Sequence, residues 1–191
     1  MDIIANWKLK WFDFFIIILL LRTCYIAVKS GIIIEIFKTL GTILAIFLSL
    51  HFYTAVSESL NARFSMSAIP LEFLDFLVFV ILAICGYFAF LILRMTFSRL
   101  VKTEAVSLFN MWGGLTLGIL RGILLIGFVT YALVISSVIY LKTSVNNSYF
   151  GKTTLGIAPS VYRGLWEVIV SKFSAKDSYN QYVDETENSL K

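Results

Sequence analysis

The sequence predicts an all-α integral membrane protein with four transmembrane helices, and three observations predict it. Hydrophobic residues make up 59% of the 191 and charged ones 15%, with a mean hydropathy of +0.85, well outside the range of soluble domains. Four apolar runs come close to the length of about 20 residues that a helix needs to cross a bilayer. Two of those runs carry small residues every fourth position, the spacing that lets helix backbones approach closely in lipid. The reading is one four-helix transmembrane domain over residues 1–141 and a polar C-terminal tail over 142–191.

Met1–Lys10 is a short polar leader with Lys8 and Lys10. Trp11–Val28 follows as the first span, interrupted by Asp13 and Arg22. It has the basic flank and apolar core of a signal peptide, but no small-residue cleavage site follows, so it reads as a retained helix. Lys29-Ser30-Gly31 makes a tight turn into the second span, Ile32–Phe52. Glu35 and Lys38 lie three apart on one face of its first turns and are placed to pair. Gly41, Ala45 and Ser49 form a small-residue ridge on the same helix, and His51 closes it at the far interface with no catalytic task.

Tyr53–Ile69 is polar enough to read as a loop. Pro70 then opens the third span, Leu71–Leu93, as a first-turn proline does, with Glu72 and Asp75 complementing the positive end of the helix dipole. Between Arg94 and Trp112 cations alternate with apolar residues, the pattern of an amphipathic segment lying in the interface before the fourth span. That span carries Gly114, Gly118 and Gly122 four apart, a ridge without side chains to pack against, and Arg121 sits beside the ridge. The rest of the chain is organised around this helix. After Leu141, Lys142–Gly156 is polar, Ile157–Phe173 is weakly amphipathic, and Ser174–Lys191 reads as a disordered end.

An arginine at the depth of Arg121 must find a partner or reach the interface. Glu35 starts its span on the same side of the membrane, and a bundle interior pairing Glu35 with Arg121 satisfies both. Lys38 and Arg22 compete for that carboxylate, and Arg121 snorkelling to lipid phosphate is the plainer alternative. The chain offers no convergent nucleophile, paired acids or metal ligands. Cys24 and Cys85 lack a disulfide or metal spacing. No catalytic residue, cofactor or metal site is expected. The net charge of +4 is small and its cations flank apolar segments, which speaks for membrane topology and against nucleic acid. The partners expected are the lipid bilayer and, through the glycine ridges, a second copy of the chain.

Trp11-Phe12-Asp13 leads the first span, Gly31-Ile32-Ile33-Ile34-Glu35 opens the second, and Gly114-x3-Gly118-x2-Arg121-Gly122 opens the fourth. In this order the set resembles the CvpA family, the colicin V production proteins of bacterial inner membranes. Ser30, Ile34 and Asn110-Met111 depart from charged residues usual in that family. The resemblance implies a multi-pass inner-membrane protein associated with toxin (colicin V) production or export, or with the envelope more generally. It supplies no catalytic residues. An accessory or scaffold protein asks least of the sequence, with a small transporter or channel subunit as the alternative. Both termini are expected outside the cytoplasm, because the cations of Arg94–Lys102 are the densest cluster.

Overall fold

The computed structural model describes residues 10–64, 69–98, 108–136, 138–173 and 178–188. The four long helices are α1 (Trp11–Ser30), α2 (Ile32–Phe64), α3 (Leu71–Ser98) and α4 (Leu108–Ile135). Each is long and apolar enough to cross a membrane. Shorter helices follow: α5 (Ile139–Asn146), α6 (Gly151–Leu155) and α7 (Ile157–Leu165). A π turn (Trp166–Val170) then runs into α8 (Ser171–Phe173), and α9 (Tyr182–Asn188) ends the described chain.

Lipid tails are as apolar as leucine, so helices in a bilayer gain little from hiding apolar surface and associate instead through close packing. The glycines show where that packing occurs. A Cβ on Gly114 would lie 2.8 Å from the Ala27 carbonyl oxygen, one on Gly118 would collide with the Ala27 Cβ, and one on Gly122 would lie 2.7 Å from Leu20 Cδ1. The order Ala27, Ala27, Leu20 against 114, 118, 122 makes α1 and α4 antiparallel neighbours in near backbone contact. The second ridge works the same way. Gly86 of α3 leaves only 2.8 Å between its missing Cβ and the Ala45 Cα, and Gly41 leaves 2.9 Å to Phe90 Cβ. Thus α2 packs on α3 as tightly as α1 packs on α4.

The bundle has a Gly31 end, where α1 turns into α2 and α4 begins, and a Trp11 end, where α4 finishes and α5, α6, the start of α7 and α9 gather. Its core is filled by Phe12, Ile46, Leu50, Phe79, Leu124 and Tyr131, all buried. More than half of α4's most apolar window is buried, against 17% for that of α3.

The helices outrun their expected boundaries. Tyr53–Phe64, read as loop from its polarity, continues α2. One face of it packs inward, with Tyr53 and Ser57 buried and Ser57 Oγ donating to Asp75 of α3, while the polar residues face out. At about 1.5 Å per residue α2 is then roughly 50 Å long and stands proud of the bilayer core. α4 begins at Leu108, so Trp112 belongs to it; residues 99–107 of the expected interfacial segment lie outside the described residues.

Within the polar stretch Lys142–Gly156, α5 ends and α6 forms. Side chains there are anchored on the bundle, as Thr154 Oγ1 is on Thr130 Oγ1 at 3.2 Å. The expected disordered end is corrected over residues 178–188. Asn180 Nδ2 donates to the Leu50 carbonyl at 2.7 Å, and Val183 of α9 is fully buried. A composition count weighs these few anchors no more than their polar neighbours.

Candidate functional site

The Gly31 end carries the charge cluster. Gly31 ends α1 with φ +78°, a left-handed conformation suited to glycine, and its missing Cβ leaves 2.8 Å to the Asn110 amide. Asn110 Oδ1 accepts a hydrogen bond from the Ile32 N–H at 2.7 Å. A side chain of α4 thereby satisfies one of the orphan donors at the start of α2. This fixes Glu35, in α2's first turn, beside α4.

Glu35 is completely buried and meets two cations at once. Its Oε1 lies 2.6 Å from Lys38 Nζ and its Oε2 lies 2.9 Å from Arg121 Nε. Lys38 Nζ also donates to Ser30 Oγ at 2.7 Å. The sequence set Lys38 and Arg121 as rivals, and the structure places both on the one carboxylate. Arg22 is exposed. The Arg121 contact is one of charge more than of a directed hydrogen bond: among the described residues neither Nε nor Nη2 of Arg121 has a hydrogen-bond partner, nor does Glu35 Oε2. A bidentate fork is therefore absent, and the pair is held by Coulombic attraction at a depth where water screens little.

The ridge residues Gly114, Gly118 and Gly122 face α1, and Gly41 and Ala45 face α3. Ser49 is fully buried. Both ridges are covered within the one chain.

Sequence reasoning missed a docking site at the Trp11 end. Asp13, noted only as an interruption of the first span, is fully buried. Its carboxylate accepts from the Lys10 N–H at 2.9 Å, Ser148 Oγ at 2.5 Å and the Phe150 N–H at 3.1 Å. Trp11 Nε1 donates to Ser144 Oγ at 3.2 Å, and its ring stacks parallel to Tyr140. The start of α1 thus clamps the turn between α5 and α6. The available signal was the Trp11-Phe12-Asp13 motif itself, a polar residue between aromatics just inside a span.

His51 was expected to close a helix at the interface; it is buried in mid-helix. Its Nδ1 lies 3.0 Å from Tyr162 Oη, which also accepts from the Asn180 N–H at 3.1 Å. The rings of Phe47, Tyr162 and Trp166 surround it. Burial pushes the Tyr162 hydroxyl above its ordinary range. Close by, Arg163 bridges Asp184 at 2.7 Å and Glu187 at 3.4 Å, and the Asp184 hydrogen bond raises its pKa further. Tyr179, which donates to Asp184, is pushed up to about 12, chiefly by burial. These contacts hold α9 to α7. Among the described residues no group of three or more His, Cys, Asp or Glu is placed to hold a metal ion.

Four apolar helices of spanning length, packed through small residues around a buried charge cluster, define a multi-pass helical membrane protein. The chain belongs to the Colicin V production protein family, whose model matches residues 12–159. The match begins at Phe12 and ends at Pro159 in α7, so it takes in the charge cluster, both ridges and Asp13 with its partners Ser148 and Phe150, but not Trp11. No curated protein and no solved structure matches the chain.

Proposed function

We propose that the protein is a multi-pass inner-membrane accessory or scaffold protein, associated with colicin V production or export and with envelope function. The observation that carries this reading is the family match over residues 12–159. The interior supports it. Between the charged Gly31 end and the clamped Trp11 end the core is filled by Ile46, Leu50 and Leu124, and the polar groups described serve to join helices. Glu35 and Arg121 act here as an intramembrane charge pair that sets how α2 seats on α4, and the glycine ridges act as packing faces. Because both ridges are covered within the chain, a second copy or an export protein would dock on other faces.

A transporter or channel subunit is the second reading, favoured by one observation. Buried ionisable residues inside a span commonly mark ion or substrate paths, and the buried Arg121 and the partly buried Lys38 meet at the buried Glu35. Two experiments separate the readings. Crosslinking and affinity capture of the tagged chain from native membranes is expected to return a stoichiometric envelope partner. Proteoliposomes of the purified chain are expected to show no flux; a conductance lost in Glu35→Gln would overturn the scaffold reading.

Orientation follows from the cation density of Arg94–Lys102, with both termini opposite the cytoplasm. Single cysteines at Ser98 and Ser178, in a background lacking Cys24 and Cys85, test it with an impermeant thiol reagent on intact cells. Labelling at 178 and not at 98 is expected, and the opposite pattern reverses the orientation.

A further inference from the structure

Outside the charge cluster and the clamp, a groove of about 240 Å³ runs between α2, α3 and the helix that continues from α7 through the π turn. Leu40, Leu44 and Phe47 of α2 form its floor, Phe90 of α3 one wall, and Ile169 and Val170 the other. Every lining residue is apolar. Leu40 to Phe47 are the ninth to sixteenth residues of α2, about 12 to 22 Å from its Gly31 end at 1.5 Å per residue. That depth falls inside a hydrocarbon core of about 30 Å. The surface around the groove is apolar and exposed: Leu40 is 44% exposed, Ile169 49%, Val168 64% and Phe173 87%.

The π turn shapes the wall. A π turn widens the helix locally, and such turns recur at functional sites. Here Trp166 at its start faces the His51 ring, 5.5 Å away, while Ile169 and Val170 at its end both border the groove. The helix is thereby pinned to α2 at His51 and stands off it further along, over Leu44.

We infer that this groove is a binding site for one acyl chain of a bilayer glycerophospholipid. Its shape chooses the occupant. A helix with its side chains is about 10 Å across, too thick for a groove bounded on three sides with this volume. A flexible hydrocarbon chain enters from the surrounding lipid without crossing any polar barrier, and its contacts with the walls replace packing that neighbouring helices supply elsewhere in the bundle. With no polar group in the lining, the groove itself grips the hydrocarbon chain and not the headgroup. The bound chain then fastens the segment from α7 to α8 against α2 and α3, and this holds whether the protein is a scaffold or a transporter.

The test is native mass spectrometry of the full chain, purified in detergent and incubated with phosphatidylglycerol or phosphatidylethanolamine carrying the same palmitoyl and oleoyl chains. One lipid is expected to persist at activation energies that strip the others, equally for the two headgroups. Leu44→Trp fills the floor of the groove and is expected to reduce that retained population at least fivefold. Ile84→Trp, on an exposed part of α3 outside the groove, is expected to leave it unchanged. If Leu44→Trp loses its monodisperse profile, Ile169→Trp fills the same space from the exposed helix and decides. Equal retention by groove-filled and control variants overturns the inference, as does retention of only the anionic lipid.

Discussion

α3 and α4 are both 28 residues long, and α3 is the more apolar, with a window hydropathy of 2.5 against 2.1. Hydropathy alone would put α3 at the centre. The structure does the reverse: α4 is enclosed by α1, α2 and the short helices, whereas Ile81, Ile84 and Phe88 of α3 stay exposed. In water the more apolar helix seeks the core, but in lipid its exposure costs nothing. What draws a helix inward is small residues and polar groups needing partners, and α4 has Gly114, Gly118, Gly122, Asn110, Arg121 and Thr130. α3 makes its close contacts with α2, Gly86 on Ala45 and Phe90 on Gly41, with a polar link to it at Asp75.

That contrast breaks most readily at the ridge. Gly118→Leu inserts a side chain where even a Cβ meets Ala27, and over-packing of this kind costs about 1–3 kcal/mol, and more where backbones must separate. It is expected to abolish most folded, monodisperse material in size-exclusion chromatography, while Ile81→Leu on α3 behaves as wild type. Gly86→Leu probes a point where α3 is packed as closely as α4. It faces the Ala45 backbone and is expected to lower the melting temperature clearly, though less than Gly118→Leu because the lipid side of α3 leaves room to tilt.

Asp13→Asn weakens the clamp at the Trp11 end by replacing a charged acceptor with a neutral amide. A loss of about 1–3 kcal/mol is expected from its buried hydrogen bonds, read as a lower melting temperature and earlier proteolysis between α5 and α6. Asn110→Ala removes the acceptor for the Ile32 N–H, and capping losses of this type run to about 1 kcal/mol. The smallest effect belongs to α3: Ser57→Ala removes its polar link to Asp75 near the end of the bundle, where water can replace it, and is expected to shift the melting temperature by no more than a degree or two.

Much of this was legible in the sequence, for reasons the helices make plain. Gly114, Gly118 and Gly122 stand out because side-chain-free spacing is visible in one dimension, and each lies against α1. Glu35 and Arg121 stand out because charges in a span need partners. What stayed hidden depends on residues far apart in sequence. Asn110 looked like a departure from the family's charge pattern and is the cap of another helix. Asp13 looked like an interruption, and its partners lie some 135 positions on. The segment 178–188 looked unstructured by composition because Asn180 and Val183 are too few to outweigh it.

The central claim is that Glu35 in α2 and Arg121 in α4 hold the hub helix in place by neutralising each other, with Lys38 sharing the carboxylate. A double-mutant cycle on thermal stability, measured in detergent and in lipid for Glu35→Gln, Arg121→Gln and the double variant, tests it directly. Glu35→Gln strands the buried Arg121 charge, and such losses reach about 3–5 kcal/mol; Arg121→Gln leaves Glu35 paired with Lys38 and is expected to cost less. The account expects the double variant to lose less than the sum of the two, by a coupling of about 0.5–3 kcal/mol. Strictly additive losses would contradict it.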